Sequence, residues 1–278
     1  LALAGAQAQP AAAPAQPPAA PTLDETLVET EDFGSLPREA LWAKDKSVMV
    51  LIPAGAFIQG LENPGEKGGK IQEAPAHEVW LSSFYIDKYE VTNAQYMKFV
   101  EITGHIKPRI TRGRGLLDPE KPVVGVTWHD ATAYAAWVDK ELPTESQWEK
   151  AARGTDSRLY PWGEDWKEGA ANTKEAGFGT TRAPGSFAVA VSPYGVFDLA
   201  GNVAEWVFDW YDRDFYKKSP RENPRGPEEG VFSRTIRGGD YYNASSEARL
   251  TNRRFRVHNQ ALEELGFRCV RNLKIPPT

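Results

Sequence analysis

The sequence predicts an α+β domain that is rich in loops and has few helices and short strands. Three segments carry capped, helix-like apolar periodicity, whereas the other apolar runs are short and strand-like. Glycine, proline and tryptophan occur 24, 21 and 9 times in 278 residues, which indicates irregular backbone held by large aromatic side chains. With 41% apolar residues the chain can bury a sizeable core, and its length suits one large domain or two small ones.

Composition argues against several classes of partner and cofactor. The net charge of −5 and the pI of about 5.6 disfavour binding to nucleic acid or to an anionic membrane. The single cysteine, Cys269, excludes an intrachain disulfide and a cluster of cysteine metal ligands. No apolar run reaches the roughly 18 residues that a membrane span needs.

The first 31 residues differ from the rest of the chain. Residues 1–8 are small and apolar, and Ala4-Gly-Ala6 and Ala6-Gln-Ala8 fit the small-x-small pattern of a signal-peptide cleavage site. Residues 9–21 are almost all Ala, Pro and Gln, which predicts an extended linker, and residues 22–31 are acidic and expected to be disordered or partner-bound. We expect a signal-peptide remnant and an arm of an exported protein, and a low-complexity cytosolic tail is the alternative. The folded domain is predicted to span residues 32–278.

Short strands are predicted first. They cover residues 48–52, which Pro53 ends, then 54–58, 77–81 and the segment that begins at Phe84. Residues 62–74 are rich in Gly, Glu and Lys and predict an exposed loop. His77 is expected to be a solvated or hydrogen-bonded strand residue, because no second His or Cys lies near it in the sequence.

Three helices are predicted after these strands. Thr92 is a suitable N-cap for a helix over about 93–103, which Gly104 ends. A second helix starts near Thr127 or Asp130 and runs to residue 138. The third opens with the capping box at 144–147 and turns its Trp148 face inward. Beyond residue 154 we expect loops and short strands up to residues 236–239, and then a closing strand at 266–271.

The stretch Asp198-Leu-Ala-Gly-Asn-Val-Ala-Glu205 places two carboxylates on either side of a glycine turn at Gly201. Calcium takes six to eight oxygen ligands, and backbone carbonyls can supply those that carboxylates do not. From the residues alone the favoured interpretation is a turn before a half-buried strand, with Asp198 as a cap and Glu205 exposed. A calcium site is the alternative.

A set of motifs in a fixed order resembles the formylglycine-generating enzyme (sulfatase-modifying factor) family, and it covers residues from about 48 to 272. The motifs are FYIDKYEVTNAQY at 84–96, PVVGVTW at 122–128, LPTESQWEKAARG at 142–154, YPWG at 160–163, YGVFDLAGNVAEW at 194–206, RGG at 237–239 and GFRCVR at 266–271. The resemblance implies a single α+β domain related to C-type lectins.

The same resemblance implies calcium as a cofactor and changes the preferred interpretation of the glycine turn. The implied ligands are the Asp198 side chain, the Gly201 and Val203 carbonyls, and the Glu205 carboxylate. A second, weaker site would use the Asn172 side chain and the Thr173 and Phe178 carbonyls. At that site Ala176 stands where the family has an acidic ligand, and Glu175 is its neighbour.

The catalytic centre of the family is not expected here. Its active members hold Cu(I) with two cysteines downstream of RGG, since soft thiolates select this ion. In this sequence those positions fall at Asn243 and Ala248, and Cys269 is expected to be a small buried apolar residue. We therefore expect no copper and no formylglycine-generating oxidase activity.

Polar and aromatic residues after RGG are candidates for a ligand pocket. They are Asp240, Tyr241, Tyr242, Asn243, Glu247 and Arg249. Eight arginines lie between Arg234 and Arg271, and the favoured role for them is to tie loops to carbonyls and carboxylates. Binding of an anion or a polar peptide is the alternative.

Two functions follow from the motifs. The preferred one is a non-catalytic binding or structural subunit of a periplasmic or extracellular assembly, with other exported proteins as partners through the N-terminal arm. The alternative is a periplasmic, copper-independent enzyme acting on a small molecule or peptide, as the siderophore-maturation members of the family suggest, with Asp240, Asn243 and Glu247 as polar candidates. His105, His129 and His258 are too scattered in sequence to predict the iron site of the family's sulfoxide synthases.

Overall fold

The structure is a computed structural model that describes residues 22–23, 36–111, 113–230 and 232–273. The predictions for residues 1–21 and 24–31 lie outside the described residues. The strands are β1 (Thr22–Leu23), β2 (Glu39–Trp42), β3 (Val48–Ile52), β4 (Gly55–Gln59), β5 (His77–Leu81), β6 (Phe84–Asp87), β7 (Ala204–Trp210), β8 (Ser233–Arg237), β9 (Arg254–Val257), β10 (Leu265–Gly266) and β11 (Val270–Asn272). The helices are α1 (Asn93–Thr103), α2 (Trp128–Trp137) and α3 (Glu145–Arg153).

The predicted α+β class is confirmed, because short mixed sheets and three helices are joined by long loops. A five-stranded sheet has the order β1-β2-β3-β6-β11, a four-stranded sheet the order β10-β7-β8-β9, and β4 pairs with β5. In the first sheet Ile86 lies opposite both Val50 and Val270. In the second, Trp206 lies opposite Ile236, and the register shifts before Trp210.

The first and third helices begin at their predicted capping residues, and of the two starts predicted for α2 the structure has Thr127 as the cap. Thr92, Thr127 and Thr144 each accept a hydrogen bond from the backbone N–H three residues later, which satisfies an otherwise unpaired donor. Gly104 ends α1 in the left-handed conformation, at φ 74°. Every residue of α3 is buried, because this helix packs against strands of the second sheet and against the β4–β5 pair. Polar side chains of α3 therefore need buried partners.

The prediction of one continuous closing strand at 266–271 is wrong. Leu265–Gly266 runs parallel to β7, whereas Val270–Asn272 runs antiparallel to β6, so the segment belongs to two different sheets. Between the two strands, the carbonyls of Phe267 and Cys269 accept hydrogen bonds from Val91 and Asp87. The chain thus crosses between the sheets, and this crossing places Arg268 in the interior.

One segment differs from expectation at the edge of the fold. Thr22 and Leu23 belong to a segment expected to be disordered or partner-bound, and they instead pair with Leu41 and Trp42 at the edge of the first sheet. The longest described helix, α1, has 11 residues, and none of the described helices is long and apolar enough to cross a bilayer.

The core has two main parts. One lies between α1, α2 and β7, and the other lies between α3 and strands of both sheets. Trp206 anchors the first part and Trp148 the second, and both have no exposed surface. The turn that carries Asp198 and Glu205 lies against this second core, next to the RGG segment.

Candidate functional site

The glycine turn between Asp198 and Glu205 is fixed by close backbone contacts. Gly201 has φ 86°, and a Cβ there would lie 2.6 Å from the carbonyl oxygen of Asn172. Its N–H donates to the carbonyl of Gly238 at 2.7 Å. Only glycine fits this position, and the contact joins the turn to the RGG segment.

Glu205 is fully buried, so the interpretation in which it is exposed is wrong. Its Oε1 accepts a hydrogen bond from Nη2 of Arg268 at 2.7 Å. Its Oε2 accepts from Nε of Arg268 at 2.7 Å and from Nε1 of Trp148 at 2.9 Å. A carboxylate has about four lone-pair positions, so these three donors leave about one position, on Oε1.

Asp198 and Glu90 add two further buried carboxyl groups beside Glu205. Asp198 accepts from the N–H of Gly185, and burial raises its pKa to about 6. Glu90 accepts from Nδ2 of Asn202 and from the N–H of Val203. Burial and then the charges of Asp198 and Glu205 raise the pKa of Glu90 well above its usual value.

The excess negative charge around the turn suits a cation. The guanidinium of Arg268 lowers the pKa of Asp198 and Glu90 but offsets only part of the burial penalty. Glu90 was not a candidate from the sequence, although its place in the family-like motif at 84–96 was a sign of its importance. Its contact with the turn depends on tertiary structure.

A calcium ion would need backbone oxygens at this turn. Within the described ranges, no three His, Cys, Asp or Glu side chains are arranged as a metal-binding group. The ion would be held by Asp198, by the free position on Glu205 Oε1, and by the carbonyls of Gly201 and Val203. Its chemical contribution would be to neutralise the buried carboxylates.

The weaker site around Asn172 has one side-chain oxygen that could serve as a metal ligand. Asn172 is buried and donates from Nδ2 to Thr180 and Asn202, while its Oδ1 has no hydrogen-bond partner among the described residues. Glu175 accepts from the N–H of Ser245 and from the hydroxyl of Thr173. The Glu175 carboxylate is therefore already engaged by protein groups.

The Phe178 side chain, at the far end of this weaker site, is 47% exposed. The guanidinium of Arg182 lies 4.7 Å from its ring centroid. Thr173, by contrast, is almost fully buried. This contact lies in the loop whose Phe178 carbonyl the resemblance implies as a ligand.

The loop after RGG is shaped by Asp240. This side chain is 1% exposed, and its Oδ1 accepts from the N–H groups of Tyr242 and Asn243 and from Nδ2 of Asn243. Its Oδ2 is paired with Arg254 at 3.0 Å. Asp240 and Asn243 therefore form a hydrogen-bonded turn.

The two tyrosines of this loop line a groove of about 220 Å³. Tyr241 is buried and packs in a cluster with Leu116, Val124 and Val203, whereas Tyr242 is 61% exposed. The other lining residues are Gly113, Gly115, Leu116, Gly179 and Thr180. The groove thus combines an exposed aromatic ring with glycine-rich backbone.

The remaining pocket candidates are engaged elsewhere. Glu247 is paired with Lys70 at 2.8 Å and also accepts from Asn252. Arg249 is paired with the buried Glu73 at 2.9 Å. The structure brings Tyr241 and Tyr242 together at the groove and uses Glu247 and Arg249 to hold the following loop.

The positions of the family cysteines have no thiol. Asn243 serves the Asp240 turn, and Ala248 is fully buried. Cys269 is also fully buried, which confirms the expected small core residue. Burial and then the charge of Asp87 raise the pKa of its thiol well above the usual value.

The arginines tie loops together, as predicted. Arg237, the first residue of RGG, is fully buried and pairs with Glu145 at 2.8 Å and Glu149 at 2.6 Å on α3. The other seven also donate to carboxylates or carbonyls, namely Arg234, Arg249, Arg253, Arg254, Arg256, Arg268 and Arg271.

The histidines fall into three environments. Nδ1 of His77 lies 3.1 Å from the carbonyl of Pro75, which confirms a hydrogen-bonded strand residue. His105 is paired with Asp130 at 2.8 Å. His129 and His258 meet at 2.9 Å although they are far apart in sequence, a contact that sequence spacing did not predict.

The fold and the loop-borne site define a loop-rich α+β protein of the C-type-lectin-related class. The protein-family model of the sulfatase-modifying factor enzyme 1-like domain matches residues 37–273 of this sequence. The chain therefore belongs to the sulfatase-modifying factor family, as its motifs indicated.

Three relatives and one solved structure illustrate the similarity. The chain is 37% identical over 246 residues to the serine/threonine-protein kinase pkn1 of Chlamydia caviae, covering 81% of this chain and 38% of that protein. It is 33% identical to the formylglycine-generating enzyme of Thermomonospora curvata, covering 80% and 92%. It is 28% identical to the inactive C-alpha-formylglycine-generating enzyme 2 of Mus musculus, covering 84% and 89%.

The structure of PvdO from Pseudomonas aeruginosa superposes with a TM-score of 0.73 at 28% identity, covering 83% of this chain and 96% of that one. The chain spans about 38% of the length of the chlamydial relatives. What it shares with those proteins is therefore one region of a longer polypeptide.

Proposed function

We propose that the chain is an exported, calcium-stabilised binding or structural subunit of a periplasmic or extracellular assembly. It does not oxidise sulfatase cysteines. The observation that carries this proposal is the content of the loop after RGG, where Asn243 and Ala248 occupy the cysteine positions and a buried Asp240 turn shapes the backbone.

Copper-dependent oxidation needs a soft donor pair that this chain lacks. Cu(I) selects thiolate and thioether ligands, whereas Asn243 offers only an amide. The one thiol in the sequence, that of Cys269, is buried in the core beside Asp87. A substrate cysteine would meet no thiolate partner in the groove.

The groove supports a binding role. Tyr242 presents an exposed ring, and Gly113, Gly115 and Gly179 expose backbone groups beside it. Tyrosine at an interface offers contact area at a low cost in conformational entropy, and glycine lets a partner backbone approach closely. We infer that the ligand is an extended segment of another exported polypeptide.

Calcium and export complete the proposal. The buried carboxyls Glu90, Asp198 and Glu205 provide the charge that a calcium ion would neutralise. The small-residue pattern of residues 1–8 and the Pro/Ala-rich arm of residues 9–21 support transfer out of the cytoplasm.

The test for catalysis uses the purified chain, Cu(I) and a cysteine-containing sulfatase peptide, with mass spectrometry to detect conversion of the cysteine to an aldehyde. We expect no conversion and no stoichiometric copper. A turnover of the peptide with copper bound would overturn the proposal.

The test for binding is native mass spectrometry of the endogenous protein. We expect the wild type to carry a stoichiometric protein partner and the Tyr242→Ala variant to lose it. The control variant Phe232→Ala, which removes another exposed ring, should keep the partner. A strict monomer that carries a small molecule would contradict the proposal.

A copper-independent enzyme is the second candidate, and the observation in its favour is that the groove is open to solvent beside the exposed Tyr242. Four donors already occupy the Asp240 carboxylate, so a substrate would have to displace one of them to reach it. Loss of a metabolite oxidation in an Asp240→Ala strain, with the protein still folded, would favour this alternative.

A further inference from the structure

A pair of histidines that belongs neither to the groove nor to the glycine turn is accessible to solvent. His129 is the second residue of α2, and His258 follows β9 directly. Nε2 of His129 lies 2.9 Å from Nδ1 of His258, and the rings are nearly perpendicular at 84°. His129 is exposed and His258 is partly exposed, so solvent reaches the pair.

The separation of the two nitrogens matches two ligands of one transition-metal ion. Zinc binds imidazole nitrogen at about 2.0–2.1 Å, so two nitrogens on one ion are about 2.9 Å apart at a right angle and about 3.4 Å apart at the tetrahedral angle. The observed 2.9 Å lies at the lower end of this range, so a turn of the imidazole rings would bring both nitrogens onto one ion. The same distance also suits a hydrogen bond between two neutral imidazoles.

Backbone contacts hold the two residues in place without the imidazole contact. The N–H of Trp128, next to His129, donates to the carbonyl of His258 at 3.1 Å. The N–H of His258 donates to the carbonyl of Phe232 at 3.0 Å. The His258 ring also meets the Trp210 ring edge-on at 5.9 Å. The start of α2 and the end of β9 are thus joined, which preorganises both side chains.

Two charged side chains near the histidine pair, Arg234 and Asp130, affect how it would bind a cation. The Arg234 guanidinium lies between two rings, 3.8 Å from the Trp128 ring centroid and 3.5 Å from that of Trp210. Its positive charge opposes a dication and limits the affinity, whereas Asp130 acts in the opposite sense.

We propose that His129 and His258 form a surface site for a divalent transition-metal ion that prefers imidazole, such as Zn²⁺, Cu²⁺ or Ni²⁺. Two protein ligands leave the other coordination positions open to water or to donors from a bound partner. The site is distinct from the oxygen-lined turn, because imidazole nitrogen is a poor ligand for calcium. It stands independently of the proposed function.

The test is isothermal titration calorimetry with Zn²⁺ alone, at neutral pH and with calcium in excess to occupy the carboxylate turn. We expect one Zn²⁺ per chain. His129→Gln and His258→Gln should each weaken zinc binding by about 100-fold. A zinc ion bound to one histidine no longer has a second imidazole nearby at high effective concentration. Glutamine keeps a hydrogen-bonding side chain and is a poor zinc ligand.

The matched control is His105→Gln, since His105 lies near the same helix and is engaged by Asp130. We expect its zinc affinity to equal that of the wild type. Imidazole NMR signals of His129 and His258, and not that of His105, should shift on titration. Zinc binding that survives in the double variant His129→Gln/His258→Gln, or no zinc binding by the wild type, would overturn the proposal. Melting temperatures without metal confirm that the variants fold.

Discussion

Arg268 holds both carboxylate oxygens of Glu205 in a fully buried, two-point contact, with both N–O distances at 2.7 Å. Its Nη2 also donates to the carbonyl of Phe197, next to Asp198. One side chain from the crossing between two sheets therefore braces both ends of the carboxylate turn. This geometry depends on the interruption of the closing strand.

Replacing Arg268 should leave buried carboxylates without their partner. We expect Arg268→Met to lower the free energy of unfolding by about 3–5 kcal/mol, the cost of breaking a buried ion pair. Urea unfolding measures this loss, and Arg256→Gln on the outer strand should stay within about 0.5 kcal/mol. Adding Glu205→Gln to Arg268→Met should restore part of the stability, and a strictly additive double variant would argue against direct coupling.

Calcium should stabilise the wild type through the glycine turn. At a concentration about 100 times the dissociation constant it adds about 2.7 kcal/mol, and chelation should therefore lower the melting temperature by about 5–10 °C. Asp198→Asn should weaken the calcium effect, because it removes a ligand charge while its amide oxygen can still accept from Gly185. Scanning calorimetry with calcium or chelator measures both.

Glu175→Gln is the matched control for this calcium experiment. Its carboxylate bonds to Ser245 and Thr173, at the weaker site. We expect this variant to retain the full response to calcium. Equal melting temperatures of the wild type in calcium and in chelator would refute the stabilising role.

The pH dependence of stability should carry a contribution from Asp209. Burial and then the charge of Glu145 raise its pKa to about 7, from about 3.9 in the unfolded chain. Between these values the folded protein keeps a proton that the unfolded chain has lost. This carboxyl therefore stabilises the fold progressively less as pH rises from about 4 to about 7.

Asp209→Asn should remove that decline. We expect the variant to gain stability relative to the wild type as pH rises through this window, by up to roughly 4 kcal/mol. Urea unfolding at several pH values gives the difference, with the exposed Glu66→Gln as control. If the free energy of unfolding of the wild type minus that of the variant is constant with pH, Asp209 has the same pKa in the folded and the unfolded chain.

Cys269 should be inert in the native protein. Its side chain is fully buried, and its pKa is raised by burial and by Asp87, so a thiol reagent must wait for the fold to open. We expect reaction at least about 10³-fold slower than in denaturant, the factor for an opening that costs about 4 kcal/mol. Ser246→Cys, at an exposed position, should provide a fast-reacting second thiol. Fast native modification of Cys269 would contradict its burial.

The parts of the fold that local chemistry specifies were predictable. Thr92, Thr127 and Thr144 cap their own helices within three residues, so the helix starts follow from the sequence. The split of the closing strand was not predictable, since the choice of partner strand is a tertiary property.

The candidate site shows the same division. Motifs located Asp198 and Glu205, but spacing could not reveal Glu90, which reaches the turn from another segment. The contact of His129 with His258 was hidden for the same reason, because it joins residues 129 apart in sequence. Burial of Glu205 also escaped prediction, since its partner Arg268 lies 63 residues away.

The close approach of Gly239 to Ala248 limits what can be rebuilt in this loop. A Cβ on Gly239 would lie 2.8 Å from the Cα of Ala248, and Ala248 has no exposed surface. A cysteine at position 248 would place its sulfur in the packed core. A cysteine at position 243 would remove the side-chain amide that donates a hydrogen bond to Asp240. Substituting cysteine at both positions therefore does not create a Cu(I) site, because the loop would first have to adopt a different backbone conformation.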